Sequence, residues 1–217
     1  MKKIIAIDGP SGSGKSTIAK LIAQKMGFDY LDTGALYRAV AISLIKSGLN
    51  EEASDKDIEE ALQKTDVEFN NGHVFLNDED VSSEIRSPEA GHFASVFSAK
   101  KPVREFLMNI QRDSAIHADI VAEGRDMTTV VFPHAFKKFY LDASVEERKK
   151  RRSLELISKG FEVNEERISK EIIERDTRDS SRDIAPLRRA NDAYLIDSSG
   201  LTIEEVLNKI MGFIRDN

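Results

Sequence analysis

The chain of 217 residues contains no cysteine, no tryptophan and only five prolines. Without cysteine there is no disulfide and no thiolate metal site, a composition that fits a reducing compartment. The four histidines, His73, His92, His117 and His134, never fall at metal-ligand spacing and read as ordinary surface or core residues. Positive charge is in deficit, with 32 Lys and Arg against 38 Asp and Glu, for a net charge of −6. That balance argues against nucleic acid or an anionic membrane as partner, so any bound anion must be met by local basic clusters. Long hydrophobic runs are missing as well. The apolar stretch from Lys3 to Asp8 is too short for a signal peptide or a spanning helix, and the protein is expected in the cytoplasm. With 40% hydrophobic residues, the chain suits one α/β domain with a sizeable core.

What is present begins directly behind that stretch. Gly9-Pro10-Ser11-Gly12-Ser13-Gly14-Lys15-Ser16-Thr17 fits the phosphate-binding pattern G-x-x-x-x-G-K-[ST]. The glycines let backbone N–H groups converge on phosphate oxygens, Lys15 reaches the outer phosphates, and the Ser16 hydroxyl is placed to bind Mg²⁺. A strand precedes the loop and a helix-spaced run, Thr17 to Met26, follows it, which is the order this chemistry requires. The segment is built for a nucleoside triphosphate.

Further strands are expected at Phe28–Leu31, Asp119–Glu123, Lys138–Asp142 and Ala193–Asp197. Asp32-Thr33-Gly34 leaves the second of them at the edge where open α/β sheets bind ligands. Thr33 is either a ligand residue or the cap of a helix from Ala35 to Lys46. Arg38, an arginine near that helix's start, opposes the helix dipole and so invites a ligand role. The alternation is broken by a β insertion, roughly Asp66 to Arg86, in which Asn71-Gly72 marks a hairpin turn. Two helices follow from Pro88, with a break at Lys100-Lys101-Pro102. An insertion of this size at the ligand edge reads as a subdomain that grips a substrate. Glu123, at the end of its strand, either orients a metal-bound water or is a simple strand-end carboxylate. A basic helix, Val145 to Ile157, carries Arg148, Arg151 and Arg152 and is expected to end at Lys159-Gly160. Arg175, Arg178, Asp179 and Arg182 share one face of the next helix if it persists that far, as an Arg175–Asp179 ion pair or as an anion-binding face. The last helix, Thr202 to Arg215, opens with a Thr-x-x-Glu capping box.

Lys15, Arg38, Arg125 and the two arginine-rich segments carry more positive charge than one triphosphate requires. The surplus points to a second anion, a phosphorylated acceptor or the moving phosphoryl group. No base is evident, and a phosphate monoester needs none, being largely dianionic at neutral pH with a second pKa of about 6. Five segments carry a resemblance: Ile7 through Lys15, Asp32 through Arg38, Val103-Arg104-Glu105, Gly124-Arg125-Asp126, and Glu174-Arg175-Asp176 through Arg182 to Ala185-Pro186-Leu187. With these the chain closely resembles the bacterial cytidylate kinases, the (d)CMP branch of the nucleoside monophosphate kinases.

The resemblance implies a single P-loop kinase domain, a five-stranded parallel sheet with helices on both faces. Its core would span about residues 1–47, 118–146 and 184–217, with a hairpin-containing NMP-binding insertion at about 48–117 and a helical lid at about 147–183. It implies ATP on Gly9 through Thr17 and Mg²⁺ on Ser16. Ser95, Arg104 and Asp126 would read the cytosine ring; Thr33, Tyr37, Arg38 and Arg125 would hold the acceptor phosphate; and Arg175, Asp179 and Arg182 would surround the sugar. Lys15, Arg125 and Arg175 are the expected catalytic residues, and at least one of Arg148, Arg151 and Arg152 closes on the phosphates. The expected partners are CMP or dCMP and ATP, with no nucleic acid and no membrane, on a monomer. The chain departs from the family at Thr128-Thr129, where Gly-Thr is usual, and keeps a hydroxyl at Thr33 where serine is usual. A kinase of another acceptor such as UMP, or an ATP-hydrolysing switch, are the rival readings.

Overall fold

The structure, a computed structural model, describes residues 2–70, 72–158 and 160–215. The expected turn residue Asn71 and helix-end residue Lys159 lie outside them. Strands β1 (Ile4–Asp8), β2 (Asp29–Asp32), β6 (Ile120–Gly124), β7 (Lys137–Asp142) and β8 (Tyr194–Asp197) form a parallel sheet in the order β2-β6-β1-β7-β8. The interior strands β1 and β6 are near-continuous apolar runs because both their faces are covered, whereas the edge strand β8 is largely exposed. On one face Ile5, Ile7 and Val121 pack against α1 (Lys15–Met26) and α8 (Ile203–Arg215); on the other Ala6, Leu31 and Ala122 receive α2 (Thr33–Lys46). Side-chain alternation along each strand assigns these faces, and the small alanines let α2 approach closely.

Between β2 and β6 the chain makes α3 (Asp55–Leu62), a small antiparallel sheet and two helices, α4 (Pro88–Phe97) and α5 (Lys101–Asp113). In that sheet β3 (Val67–Asn70) pairs with β4 (His73–Leu76), as the hairpin signal predicts. A third strand, β5 (Glu79–Asp80), was not expected. Asn77 and Asp78 both have positive φ, 49° and 67°, which turns the chain back in the tight manner that Asn and Asp tolerate. Val67, Val74 and Leu76 are buried in the same core as α2, so the insertion is packed onto the domain rather than tethered to it. Finally α6 (Val145–Ser158) and α7 (Glu165–Ser181) pack on each other between β7 and β8. Among the described residues no helix is long and apolar enough to cross a membrane.

The register decides what meets at the sheet's carboxyl edge. Asp8 pairs with Gly124 and with Tyr140, and Asp32 with Glu123, so the segments leaving β1, β2 and β6 emerge side by side. The chain leaves β1 toward β2 and later crosses to β7 and β8, a reversal that opens a crevice at this edge.

Candidate active site

The loop after β1 is a cradle that its glycines make possible. Gly9 lies at φ +152°, and a Cβ there would sit 2.0 Å from the Leu141 carbonyl oxygen. Gly12 and Gly14 are left-handed at φ +77° and +96°. Loop carbonyls are taken by cations: Lys15 Nζ donates to Pro10 O at 2.7 Å, Arg148 Nη1 to Ser11 O at 3.2 Å, and Arg151 Nη1 to Ser13 O at 3.1 Å. Turning carbonyls toward these donors frees a loop's N–H groups for phosphate oxygen. The α1 N-cap is Gly14, with no side chain across the helix start, so the helix dipole faces the cradle.

Ser16 Oγ donates to Glu123 Oε1 at 2.5 Å, and Tyr30 OH donates to the same oxygen at 3.1 Å. Burial and the Glu123 charge push the Tyr30 hydroxyl well above its ordinary pKa, so it remains a donor. A hydroxyl and a carboxylate meeting at the foot of a phosphate loop form the all-oxygen set that Mg²⁺ takes together with waters and substrate phosphates, so these residues fit the ion.

On the other side of the crevice the side chains come from five separate segments. Thr33 Oγ1 donates to the Glu123 carbonyl at 2.7 Å, and the α2 cap is Asp32, whose Oδ1 accepts from Ala35 N at 2.9 Å. Capping by Thr33 is therefore corrected: the aspartate one residue earlier takes the helix N–H, and the Thr33 hydroxyl spans to β6. Arg104 pairs with Asp126 in the interior and donates from Nη1 to Ser98 O at 3.2 Å. Arg182 Nη2 stands 3.7 Å from the other Asp126 oxygen. The helix does not persist to Arg182, which caps α7 with extended backbone at ψ 143°. This bend carries Arg182 away from the Arg175–Asp179 face and toward Asp126. Asp179 accepts from Arg125 Nε at 2.9 Å, while Arg175 Nε stands 4.0 Å away.

A cavity of about 570 Å³ collects these groups. Its wall includes the loop from Ser11 to Thr17 together with Thr33, Tyr37, Arg38, Ser95, Arg104, Arg125, Asp126, Arg175, Asp179 and Arg182. Gly9 and Pro10 lie behind the wall and shape the loop. Ser95 Oγ, Arg175 Nε and Arg182 Nη2 are buried with no hydrogen-bond partner within the protein. Such orphan groups are costly unless a ligand meets them. The arginines of α6 separate: Arg148 is buried and braces Ser11 O and Asp176 (2.6 Å), whereas Arg151 and Arg152 line the cavity. Residues the sequence did not single out are Asp32, Asp8, Tyr30 and Arg86. Arg86, from the insertion, reaches Asp32 Oδ2 at 3.4 Å and lines the cavity. Asp32 and Asp8 lie inside recognised segments, but no spacing signal ties them to partners tens of residues away.

The excess of cations shapes protonation. Burial and the neighbouring Arg125 charge push Lys15 down to about 7, and burial with Arg125 lowers Arg175 to about 9. Burial raises Asp126, partly offset by Arg104 and Arg182. Burial also opposes the Asp179 carboxylate, but Arg125 and Arg175 outweigh it and hold its pKa below the ordinary value. An arriving triphosphate restores the proton on Lys15, so binding at about pH 8 is expected to take up close to one proton. Calorimetric heats measured in buffers of different ionisation enthalpy read this uptake. Heats independent of the buffer would mean that Lys15 is already charged without ligand.

Comparison with known proteins gives this arrangement its relatives. Among solved structures, shikimate kinase from Bacteroides thetaiotaomicron matches with a TM-score of 0.50 at 15% identity, covering 98% of both chains. An uncharacterised protein from Eubacterium ventriosum gives 0.55 at 15%, covering both chains fully. These similarities concern the fold. In sequence, the cytidylate kinase of Thermodesulfovibrio yellowstonii is 54% identical, covering 97% of each chain. That of Thermotoga maritima is 47% identical, covering 98% of this chain and 96% of its own. The family model described as cytidylate kinase matches residues 5–216, so the segments gathered around the cavity and the helices that carry them all fall inside one match, and the chain belongs to the cytidylate kinase family.

Proposed function

We propose that the protein transfers the γ-phosphoryl group of ATP to CMP and dCMP, giving ADP and the cytidine diphosphates. The observation that carries this reading is the second polar wall facing the phosphate loop, with its buried orphan groups Ser95 Oγ and Arg182 Nη2 beside the Arg104–Asp126 pair. Asp126 accepts from the exocyclic amine of cytosine, and Arg104 donates to its ring nitrogen and carbonyl. Uracil presents a carbonyl where the amine would be, leaving the carboxylate opposed to an acceptor. Thr33, Tyr37, Arg38 and Arg125 bind the acceptor phosphate, and Arg175, Asp179 and Arg182 surround the sugar.

An oxygen of the acceptor phosphate forms a bond to the γ-phosphorus as the bond to the β–γ bridging oxygen breaks, and ADP leaves. The attacking phosphate is already ionised, so no protein base is required. Lys15, Arg125 and Arg175 stabilise charge on the transferring group by position and electrostatics. Ser16 directly and Glu123 through water would hold Mg²⁺, which neutralises the β- and γ-phosphates when bound. Arg152, a cavity-lining lid arginine held by Glu155 at 2.8 Å, is the one assigned to close on the phosphates. Residues 48–117 form the acceptor-binding part and 147–183 the lid. The protein works as a monomer, since one chain supplies every group invoked, and in the cytoplasm, a reducing compartment that its lack of cysteine fits.

The test is a coupled assay with CMP, dCMP, UMP and AMP. The cytidine nucleotides should rank first, and Asp126→Ala should lower kcat/KM for CMP at least about tenfold more than for UMP. Equal turnover of UMP by the native protein would overturn the cytosine reading. ATP hydrolysis indifferent to CMP would favour the switch.

A further inference from the structure

Tyr30 is a core-facing residue with a polar tip. It pairs in register with Val121 and packs on the cluster beneath α1, on the same face as Glu123 two residues further along β6. A phenylalanine would fill that apolar position, but only a tyrosine carries a hydroxyl far enough to donate to Glu123 Oε1, at 3.1 Å. The same oxygen accepts from Ser16 Oγ, and among the described residues no hydrogen bond is made to Oε2. Glu123 lines the cavity and Tyr30 does not, so the phenol acts from behind the wall. The insertion holds the Tyr30 ring in turn. β2 is an edge strand of the sheet, and Phe69 of β3 meets the ring edge-on, with centroids 6.2 Å apart and planes at 72°. Phe69 itself packs on the cluster of the opposite face, beside α2. The Lys20 ammonium lies 5.4 Å over the Tyr30 ring.

We propose that Tyr30 is a positioning residue for Mg²⁺: braced by Phe69, its hydroxyl pins one oxygen of Glu123 and leaves the other to the waters of the ion. The inference rests on Ser16 and Glu123 holding Mg²⁺, as proposed above. Its physical content is the rotation of a carboxylate. A glutamate held by one donor can turn about that bond and exchange its oxygens, whereas Ser16 and Tyr30 donate to the same oxygen from two different elements, α1 and β2. Two such anchors order the carboxylate before the ion arrives and remove a conformational cost from binding. The arrangement also gives the insertion a second task. Its hairpin belongs to the acceptor-binding part, yet through Phe69 and Tyr30 it steadies the carboxylate at the foot of the phosphate loop.

The experiment titrates Mn²⁺, which takes the same oxygen ligands as Mg²⁺, into the full chain with ADP bound, and reads the free ion by electron paramagnetic resonance. Tyr30→Phe keeps the ring and removes the hydroxyl, Phe69→Leu loosens the ring and keeps the hydroxyl, and Glu123→Gln is the control for the metal site. Thermal unfolding establishes that each is folded, and Phe69→Leu carries the test alone if Tyr30→Phe is not. Tyr30→Phe is expected to weaken Mn²⁺ binding about fivefold and Phe69→Leu about threefold, against at least about tenfold for Glu123→Gln. The affinity for ADP without metal should move less than about twofold in the first two. Loss of metal-free ADP binding to the same extent as Mn²⁺ would mean a general loosening of the phosphate loop and overturns the inference. Mn²⁺ affinity lowered in Glu123→Gln but unchanged or tighter in Tyr30→Phe overturns the role of Tyr30 alone. An effect in Tyr30→Phe with none in Phe69→Leu overturns the part assigned to Phe69. Mn²⁺ affinity unmoved in Glu123→Gln overturns the metal site itself, and the inference falls with it.

Discussion

Lys15→Met should lower kcat for CMP phosphorylation by about 10³-fold or more while raising the thermal midpoint of the ligand-free protein. The first effect follows from position. Lys15 opens α1 and lies on the cavity wall, and a preorganised cation in a dry site acts on charge that develops during transfer. The second follows from the same burial. Lys15 is 4% exposed, and its neighbours include Arg125 and Arg175, so its ammonium is disfavoured in the fold. A base whose folded pKa, about 7, lies below its unfolded one, 10.5, costs stability; the cost is full below pH 7 and fades as pH rises toward 10.5. Methionine removes that cost and forfeits the bonds to Pro10 O and Ser13 Oγ, for a net gain on the order of 1 kcal/mol, or about 3 °C. Calorimetric melting at pH 6 and pH 9 checks the sign, since the gain should be larger at pH 6. A variant less stable than the native protein at both pH values would mean that the lysine's hydrogen bonds outweigh its desolvation.

Arg125→Ala should reduce kcat/KM for CMP by about 10³-fold, with a far smaller change in the KM for ATP. Arg125 is held by Asp179 through Nε and by Gly124 O at 3.2 Å through Nη1, so its guanidinium is fixed before substrate arrives. Its removal has a second consequence. Asp179, 3% exposed, is left with Arg175 at 4.0 Å, and a buried carboxylate that loses its nearer partner destabilises the fold by roughly 1–3 kcal/mol. Because the Asp179 pKa is held low, its contribution is present at neutral pH and is lost as pH falls below the ordinary carboxylate value. The native protein should therefore lose more stability on acidification than the variant. Lysine at this position keeps the charge but not the planar fork, and should recover only part of the rate. Activity within a few-fold of native in Arg125→Ala would remove Arg125 from the acceptor-phosphate set.

The parts legible in the sequence were those whose physics is local. The phosphate loop is contiguous, its strand and helix announce themselves by apolar period, and the Thr202–Glu205 capping box appears with Glu205 N donating to Thr202 Oγ1 at 3.2 Å. The hairpin was legible from its turn residues, whereas β5 was not, because a two-residue strand leaves no periodic signal. Arg148 illustrates another limit. Its place in a basic run suggests the same exposed role as Arg152, yet one arginine is a buried brace and the other lines the cavity, a difference set by what α6 packs against.

The sequence by itself determined a triphosphate loop on a parallel α/β sheet, a hairpin-containing insertion and a surplus of arginines, because backbone geometry and period act over a few residues. Only the tertiary structure decided how those arginines are shared: Arg125 with Asp179, Arg104 and Arg182 with Asp126, and Asp8 with the turn at Met127-Thr128. Each of these pairings depends on the strand register and helix packing that bring residues far apart in the chain to one edge, and which carboxylate meets which donor there is a competition among neighbours that no local pattern encodes.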